Sequence, residues 1–229
     1  MSAAAMTQGA REGGGQGTSG NVKATREDWL DAALAVLATE GVARVAILPL
    51  SEKLGVSRSS FYWYFRDRAE LVDALLKRWE ALNTRSIVTQ ALTPAATINE
   101  GVCNIFRCWV NPRIFSPRLD FAVREWARIS AEARAALDAA DRERTAAIQN
   151  MFERFGYEER DALVRARVLY YTQIGYYALD IREPLAARLA LTPHYLIAIT
   201  GAAPRDSDMA AFRAYALTHA GETDFGGAA

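Results

Sequence analysis

The sequence predicts an all-α protein, and three observations support this fold class. Apolar residues recur at helical spacing along most of the 229 residues, and no segment shows the strict alternation of a half-buried strand. Capping residues and glycines typical of helix ends separate these apolar segments. Hydrophobic residues make up 51% of the composition, which is ample for the core of one large domain or two smaller ones.

Two helices with defined ends are predicted near the N-terminus. Thr25, followed by Asp28 three residues later, has the pattern of a capping box. Gly41 stands where a helix end favours a left-handed backbone. A second helix begins around Pro49, because proline is tolerated in a first helical turn, and it ends at Gly55.

The segment Leu50–Arg68, LSEKLGVSRSSFYWYFRDR, is the most unusual part of the chain. It predicts two short helices joined by a tight turn, with Ser57 as the cap of the second one. That second helix contains the aromatic run Phe61–Phe65, and helical periodicity lets only one or two of these residues face a core. The others must face outward. Nucleic acid is the leading partner for them, and a protein-binding surface is the alternative.

A DNA-binding helix-turn-helix fits the residues of this segment. Residues 57–60 occupy an N-terminal helical turn, where free backbone N–H groups favour phosphate. Arg58 projects from the same end and suits a guanine edge. Tyr62 and Tyr64 carry hydroxyls on rigid rings that suit a phosphate or a thymine methyl, and Arg68 suits a second phosphate. The predicted DNA-contacting residues are Arg58, Ser59, Ser60, Tyr62, Trp63, Tyr64 and Arg68.

Further capped helices are predicted toward the C-terminus. Asp67, with Glu70 three residues later, begins a fourth helix that extends to roughly Thr89. Apolar stripes and capping residues then predict helices over residues 98–110, 116–126, 131–155 and 158–180, one that starts at Thr192-Pro193, and a last one over 209–217.

The helix predicted for residues 158–180 carries two apolar stripes side by side. Together they cover about half of the helix circumference, which is more than a single-sided surface helix needs. We therefore expect one stripe to pack in the core and the other to be buried against a partner. The stripe predicted for dimerisation consists of Val164, Val168, Tyr171, Gly175 and Ala178.

Composition narrows the function classes. Lys and Arg together number 27, and so do Asp and Glu, so a DNA-binding charge must be placed locally. No P-loop, GxSxG, HExxH or paired metal ligands are present, which argues against an enzyme, a metal or a cofactor. Cys103 and Cys108 are predicted to be buried small hydrophobes in a reducing cytoplasm. No apolar run approaches the ~20 residues of a membrane span, so no membrane partner is expected.

The two ends of the chain and one charged helix carry further predictions. Residues 1–21 are rich in Gly, Ala and Ser and predict a disordered arm. Its GxGxxG match at residues 15–20 lacks a preceding strand, so a dinucleotide site is not expected there. Residues 219–229 predict a disordered tail. Arg142 and Arg144 stand among acidic residues and predict a solvated face.

Residues 54–76, LGVSRSSFYWYFRDRAELVDALL, resemble the recognition region of the TetR-type bacterial transcriptional regulators. The matching positions are Gly55, Val56, Ser57, Ser60, Phe61, Tyr62, Trp63, Tyr64, Phe65 and Arg68. The preceding helix that ends at Gly41 also fits, so the resemblance extends over roughly residues 22–79. Two departures stand out. Residues 46–48 are Ala-Ile-Leu where many members carry a Thr cap and DNA-contacting polar residues, and Tyr64 replaces the commoner His.

The resemblance implies an architecture, partners and a mechanism. A helix-turn-helix domain would occupy residues 22–68, and a helical ligand-binding and dimerisation domain residues 69–218. The implied partners are operator DNA, a second copy of the chain and a small-molecule effector that releases a repressor by changing the spacing of its recognition helices. Arg58 and Tyr62 would contact bases. Ser60, Trp63, Tyr64 and Arg68 would hold phosphates, while Phe61 and Phe65 would pack in the core.

Aromatic residues of the larger domain have two interpretations. Each of them fits ordinary core packing, whereas as a group, with several hydroxyl handles, they suggest a pocket for an apolar or aromatic ligand. The candidate ligand-binding residues are Phe106, Trp109, Trp126, Phe152, Tyr170, Tyr171 and Tyr177. The remaining alternative for the whole protein is a helical adaptor that keeps the fold but binds protein in place of DNA.

Overall fold

The computed structural model describes residues 23–220 and is entirely helical over that range. Its α-helices are α1 Arg26–Glu40, α2 Ile47–Leu54, α3 Arg68–Trp79, α4 Arg85–Leu92, α5 Ile98–Val110, α6 Pro117–Trp126, α7 Ala131–Arg154, α8 Glu159–Ala178, α9 Leu185–Thr200 and α10 Asp206–His219. Two 3₁₀ helices, Val42–Arg44 and Arg58–Trp63, and a π-helical segment, Glu80–Thr84, complete the order. The all-α prediction is confirmed.

The two predicted terminal segments fall almost entirely outside the described residues. This applies to the arm at residues 1–21, with its GxGxxG match, and to residues 221–229 of the predicted tail. The part of the tail that is described differs from the prediction, because α10 continues through His219. The His219 ring stacks on Tyr215 at a centroid distance of 4.1 Å, which supports this last helical turn.

The helices α1 and α2 begin and end where their capping chemistry predicts. The Thr25 hydroxyl accepts a hydrogen bond from the Asp28 N–H, and the Asp28 carboxylate accepts one from the Thr25 N–H at 2.7 Å. Gly41 and Gly55 have φ values of 83° and 66°. A Cβ strains the backbone in this left-handed region, so glycine suits both helix ends. Pro49 lies in the first turn of α2, as predicted.

The aromatic segment forms a 3₁₀ helix, and the prediction of an α-helix capped by Ser57 is wrong. The Ser60 N–H donates to the Ser57 carbonyl at 3.1 Å, and the Tyr64 N–H donates to the Phe61 carbonyl at 3.0 Å. Ser57 Oγ makes no capping bond and instead lies 2.8 Å from Ser59 Oγ. A helix of 6 residues forms few i→i−4 bonds, so the packing of its neighbours decides how it winds.

A continuous helical rod runs from Arg68 to Leu92 through α3, the π segment and α4. Asp67 caps it as predicted, because its Oδ1 accepts the Glu70 N–H at 2.9 Å. The rod extends beyond the predicted end near Thr89. The π segment adds a residue to one turn, and this part of the rod carries Asn83 and Thr84, which are both completely buried.

Two hydrophobic cores divide the molecule. The first lies among α1, α2, the aromatic segment, α3, α6 and the first half of α7. The second lies among α4, α5, the second half of α7, α8, α9 and α10. The first core continues past residue 68, where the helix-turn-helix domain was predicted to end. Beyond that residue, α3 contributes Leu71, Leu75 and Trp79, and α6 contributes Leu119 and Val123. The rod and α7 contribute side chains to both cores and therefore connect them.

A buried polar cluster lies where the rod crosses α6, α7 and α8. The guanidinium of Arg144 is completely buried and donates to Asp120 Oδ1 at 2.9 Å. It also donates to Thr84 Oγ1 at 3.0 Å and to the Tyr170 hydroxyl at 2.9 Å. Asn83 Nδ2 donates to Asp120 Oδ1 at 3.3 Å. The predicted solvated face of Arg144 is wrong, because carboxylate and hydroxyl partners from three other elements compensate its buried charge.

The helix α9 begins much earlier than predicted. It starts at Leu185, so Pro193 lies inside the helix and does not begin it. A proline in a helix interior removes one N–H donor and crowds the carbonyl four residues back. Just before the proline, Thr192 Oγ1 donates to the Arg188 carbonyl at 2.9 Å.

Both cysteines are free and buried in the second core, as predicted. Burial raises the pKa of each thiol to about 12, so neither is a reactive thiolate at neutral pH. Within residues 23–220, no helix combines the length and the apolar character needed to cross a membrane.

Candidate nucleic-acid interface and helical cavity

The aromatic segment divides into buried and exposed side chains. Phe61 is 0% exposed and packs edge-on against Trp29 with ring centroids 5.2 Å apart. Phe65 is also buried and stacks on Phe61 at 5.3 Å. Tyr62 and Trp63, in contrast, are 61% and 81% exposed. Two phenylalanines therefore anchor the segment to α1, and two large aromatic rings point to solvent.

Tyr64 lies between these two groups. Its side chain is half-buried and packs against the first core. Three aromatic residues were predicted to face a duplex. The rings of Tyr62 and Trp63 are exposed to solvent, and the ring of Tyr64 is half-buried.

Serine and arginine residues occupy the start of the 3₁₀ helix. Arg58 and Ser59 are exposed. Among the residues that the structure describes, no carboxylate or carbonyl partner binds the Arg58 guanidinium, so its donors face solvent. Ser60 differs from the prediction, because its Oγ is buried without a hydrogen-bond partner. A phosphate contact from this hydroxyl needs a change of rotamer.

Arg68 has a structural role that the sequence does not reveal. Its Nε donates to the Val45 carbonyl at 2.6 Å, and its Nη2 donates to the Val42 carbonyl at 2.6 Å. These bonds fasten the loop before α2 to the start of the rod. The guanidinium is thereby held in a fixed position, and only its remaining N–H groups are available for the predicted phosphate contact.

The start of α2 presents apolar side chains beside this surface. Leu48 is 49% exposed, and Ala46 caps the helix without any side-chain hydrogen bond. Arg44, just before it, is exposed. Of the apolar start of α2 that distinguishes this chain from the TetR pattern, Leu48 is therefore at the surface, whereas Ile47 packs partly against the first core.

A cavity of about 80 Å³ lies between α5, α8, α9 and α10. This is several times the roughly 10–15 Å³ that one water requires. Its walls are mostly apolar, formed by Phe106, Trp109, Val110, Leu169, Leu185, Leu189, Ile199 and Phe212. Polar groups enter it from Thr172, Gln173, Tyr176, Glu183, Arg188, Thr192 and Tyr195. An apolar cavity with a few polar groups is typical of a small-molecule site.

The candidate ligand-binding residues divide between this cavity and other places. Phe106 and Trp109 line the cavity. Trp126 packs in the first core, Phe152 is buried against Tyr157, and Tyr170 belongs to the polar cluster.

Tyr171 and Tyr177 also lie elsewhere. Tyr171 is exposed on α8, and Tyr177 stacks on Phe115 and lines an open groove beside α1 and α6. These five residues, from Trp126 to Tyr177, lie outside this cavity, and Trp126 lines the same open groove as Tyr177. Helical periodicity alone cannot distinguish a cavity wall from other interior positions.

Tyr176, Glu183 and Arg188 were missed in the sequence and form the polar side of the cavity. The Tyr176 hydroxyl donates to the Glu183 carboxylate. Burial, followed by this hydrogen bond, raises the pKa of Tyr176 to about 12, so the hydroxyl stays protonated as a donor. The Arg188 guanidinium lies over the Tyr176 ring at 5.9 Å. The position of Glu183 in a connecting loop explains why no helical pattern identified it.

The predicted dimerisation stripe forms an exposed apolar face on α8. Val164, Val168 and Tyr171 are 56%, 45% and 56% exposed. A Cβ added at Gly175 meets nothing within 4 Å, so the backbone there is open to close approach. On the adjacent α9, Leu191 and Ile197 are exposed as well. Together these side chains form a contiguous candidate for a helix-to-helix interface.

Comparison with known proteins identifies relatives of the N-terminal part. Residues 30–75 match the family described as bacterial regulatory proteins, tetR family. Over 59 residues the chain is 39% identical to the HTH-type transcriptional regulator TtgR of Pseudomonas putida, which covers 26% of this chain and 28% of TtgR. It is 36% identical to TtgW of the same species, an uncharacterized HTH-type transcriptional regulator, over 26% of this chain and 44% of TtgW. The chain therefore spans less than half the length of either relative.

Solved structures share the fold over most of the chain. SmeT, the repressor of the Stenotrophomonas maltophilia multidrug efflux pump SmeDEF, aligns with a TM-score of 0.53 and 21% identity over 81% of this chain and 93% of SmeT. A tetR-family transcriptional regulator from Streptomyces coelicolor aligns with a TM-score of 0.54 and 18% identity, over 86% of this chain and 90% of that one. These likenesses extend the shared architecture beyond the helix-turn-helix to the C-terminal helices.

Proposed function

We propose that the chain is a homodimeric DNA-binding transcriptional repressor released by a small molecule, because its residues 30–75 match the tetR family of bacterial regulatory proteins. The observation that carries this proposal is the exposed pair Tyr62 and Trp63, 61% and 81% open to solvent, beside the exposed Arg58. Rings that a soluble protein leaves uncovered next to an unpaired cation suit the phosphates and base edges of a duplex.

The proposed DNA-binding mode places the 3₁₀ helix in the major groove. Arg58 reads a guanine edge through two N–H donors, and Tyr62 contacts a neighbouring base. Ser59, Trp63 and Tyr64 contact the backbone, and the fastened guanidinium of Arg68 adds a phosphate contact. Leu48, exposed at the start of α2, provides a methyl-rich surface in place of the polar contacts usual in the family, which suits the methyl group of thymine.

A dimer follows from the exposed α8 face, since two recognition segments are needed for two half-sites. Half-sites of such proteins lie about 34 Å, or one helical turn of DNA, apart. The effector is proposed to bind the cavity between α5, α8, α9 and α10. Because the cavity walls include α8 and α9, which also carry the dimer face, a ligand there changes the geometry with which the two copies meet.

Selection of bound sites from random double-stranded DNA tests the proposal. We expect an inverted repeat with half-sites about one helical turn apart. Affinity for the selected DNA should fall steeply between about 50 and 200 mM salt, because phosphate binding releases counterions. No enriched sequence, together with binding that does not depend on salt, would refute DNA recognition and favour a protein-binding adaptor.

A further inference from the structure

The cavity contains a cationic side chain that its surroundings leave without an acceptor. Within residues 23–220, no carboxylate lies within ion-pair distance of the Arg188 guanidinium and no acceptor takes a hydrogen bond from it. Its one described contact is with the Tyr176 ring, 5.9 Å from Cζ to the centroid. A guanidinium has five N–H donors in a planar fork, so Arg188 brings to the cavity several donors that no described acceptor takes.

The one acid in the cavity lining does not fill this role. The Glu183 carboxylate lies nearby in the chain but accepts the hydrogen bond of the Tyr176 hydroxyl. Among the described residues, no ion pair or hydrogen bond joins this carboxylate to the Arg188 guanidinium. The neighbouring cation, Arg182, is already paired, because its Nη2 lies 2.7 Å from Asp180 Oδ2. Arg188 is therefore the cationic group available to a ligand.

The start of α9 adds positive potential on the same side. Pro184 caps this helix of 16 residues without a side-chain hydrogen bond, and its first turn contains no acidic residue. The partial positive charge of a helix N-terminus thus remains uncompensated by the helix itself. Leu185, in that turn, lines the cavity, and Arg188 lies one turn farther along α9.

The apolar part of the cavity lining determines what the rest of the ligand must be. Phe106, Trp109 and Phe212 present aromatic rings, with Phe106 and Trp109 centroids 5.5 Å apart. Leu169, Leu189 and Ile199 complete an apolar surface. A ligand that is wholly polar leaves this surface poorly covered, and one that is wholly apolar leaves the guanidinium without an acceptor after desolvation, which is costly.

We propose that the effector is a compact aromatic carboxylate whose ring lies on Phe106 and Trp109 and whose anionic head is held by Arg188. This inference rests on the proposed function only in assigning the cavity to an effector. A charge-assisted pair with a carboxylate is bidentate and roughly twice as strong as a neutral hydrogen bond. The class of ligand thus follows from the one unpaired cation in the described lining.

Three probes of one shape distinguish the charge preference: 2-naphthoate, 2-naphthamide and 2-naphthylmethylammonium. Calorimetric titration of the full chain should show 2-naphthoate binding about tenfold or more tighter than the amide, with the ammonium weakest. Arg188→Gln should reduce naphthoate affinity to that of the amide and leave amide binding nearly unchanged. Arg188→Lys keeps the charge but loses the fork, and it should give an intermediate preference.

Arg182→Gln is the matched control, since it removes an adjacent, solvent-exposed charge that is already paired; it should keep the full preference. Circular dichroism shows whether each variant is folded. The proposal is overturned by equal binding of naphthoate and amide, by the tightest binding of the ammonium, by an unaltered preference in Arg188→Gln, or by no naphthoate binding at millimolar concentration.

Operator binding is measured separately, on the DNA selected above. Its outcome distinguishes a failure of the proposed ligand class from a failure of the proposed repressor function. Naphthoate that binds through Arg188 without weakening operator binding supports the ligand class and refutes effector release. A chain that selects no DNA but keeps the naphthoate preference refutes the repressor alone. Loss of the naphthoate preference in a chain that still selects an operator refutes the ligand class alone.

Discussion

Arginine residues illustrate how differently one residue type is used in this molecule. Arg58 projects freely from the 3₁₀ helix, Arg68 fastens two backbone carbonyls, and Arg144 is completely buried among polar partners. Each environment follows from the acceptors within reach and not from the local sequence, because guanidinium groups are always charged and require acceptors when buried. The consequences for DNA affinity and for stability can be tested one residue at a time.

Arg58→Ala is expected to weaken operator binding by about 1–3 kcal/mol and to relax the preference at one base pair of each half-site, because a bidentate guanine contact is lost. The measurement is repeated site selection together with titration of the wild-type operator. Arg128→Ala is the control, since this side chain is 74% exposed and lies outside the aromatic segment. A variant with unchanged base preference would remove Arg58 from sequence reading.

Asp120 makes stability dependent on pH. Burial alone would raise the pKa of Asp120, but the charges of Arg144 and Arg124 lower it overall. Because the folded pKa lies below the unfolded value of about 3.9, the stabilisation is present above about pH 4 and is lost as pH falls through the folded pKa.

Asp120→Asn should lower the free energy of unfolding at pH 7 by about 3–5 kcal/mol, because it leaves the buried Arg144 charge uncompensated. It should also flatten the decline in stability below about pH 4. Urea unfolding at several pH values measures both effects. Asp31→Asn, at a side chain that is 66% exposed, serves as the control. An equally steep acid decline in Asp120→Asn would assign the pH dependence to other carboxylates.

At the scale of secondary structure, elements that depend on tertiary packing depart from the sequence pattern. The aromatic segment winds as a 3₁₀ helix because Phe61 and Phe65 pack on α1 over a helix of 6 residues. The α9 helix runs through Pro193 because Leu189, Leu196 and Ile199 bury one face of it in the second core. Burial of an apolar face outweighs the cost of one lost backbone hydrogen bond.

Pro193→Ala should stabilise the folded chain by about 2 kcal/mol, since it restores an N–H donor and relieves the crowding of the Leu189 carbonyl. Thermal and urea unfolding measure the gain. Pro117→Ala is the matched control, because Pro117 begins α6, where proline is favourable and its removal gains nothing. A destabilised Pro193→Ala variant would indicate that the proline ring itself fills a needed space.

At the scale of the whole molecule, two cores and one polar cluster connect the aromatic segment to the cavity. The rod from Arg68 to Leu92 and α7 pass through both cores, and Arg144 ties them together at their crossing. The buried side of α8 belongs to the second core, while its other side is the exposed apolar face. The proposed dimer face, the cavity and the rod are therefore parts of one packed unit. This arrangement makes the oligomeric state the central test of the whole-molecule proposal.

Val168→Glu is expected to convert a dimer at micromolar concentration into a monomer. Val168 is 45% exposed, so a glutamate is tolerated in the free chain but becomes an unpaired charge when a second α8 covers it. Sedimentation equilibrium measures the change. Leu92→Glu, at a residue 62% exposed at the end of α4, is the control. A wild-type chain that sediments as a monomer would refute the dimer proposal directly.

Three capped helix starts and the division of the aromatic segment into buried and exposed side chains were predictable because they depend on local chemistry. The caps at Thr25, Asp67 and Ser116 form as their residues dictate, since a side-chain oxygen satisfies an N–H within its own turn. The separation of Phe61 and Phe65 from Tyr62 and Trp63 also follows the sequence, because a short amphipathic helix has one core-facing side. These features need no information from distant parts of the chain.

The helical class, the helix-turn-helix segment and the apolar stripe on α8 could all be predicted from residue patterns. Other features became visible only in the folded chain: which aromatic residues line the cavity, the burial of Arg144, the bonds from Arg68 to the loop before α2, and the position of Arg188 in the cavity without an acid partner. The physical reason is that caps and periodic faces arise from interactions a few residues apart. The environment of an arginine or an aromatic ring depends instead on which distant groups the fold brings within hydrogen-bond or packing distance.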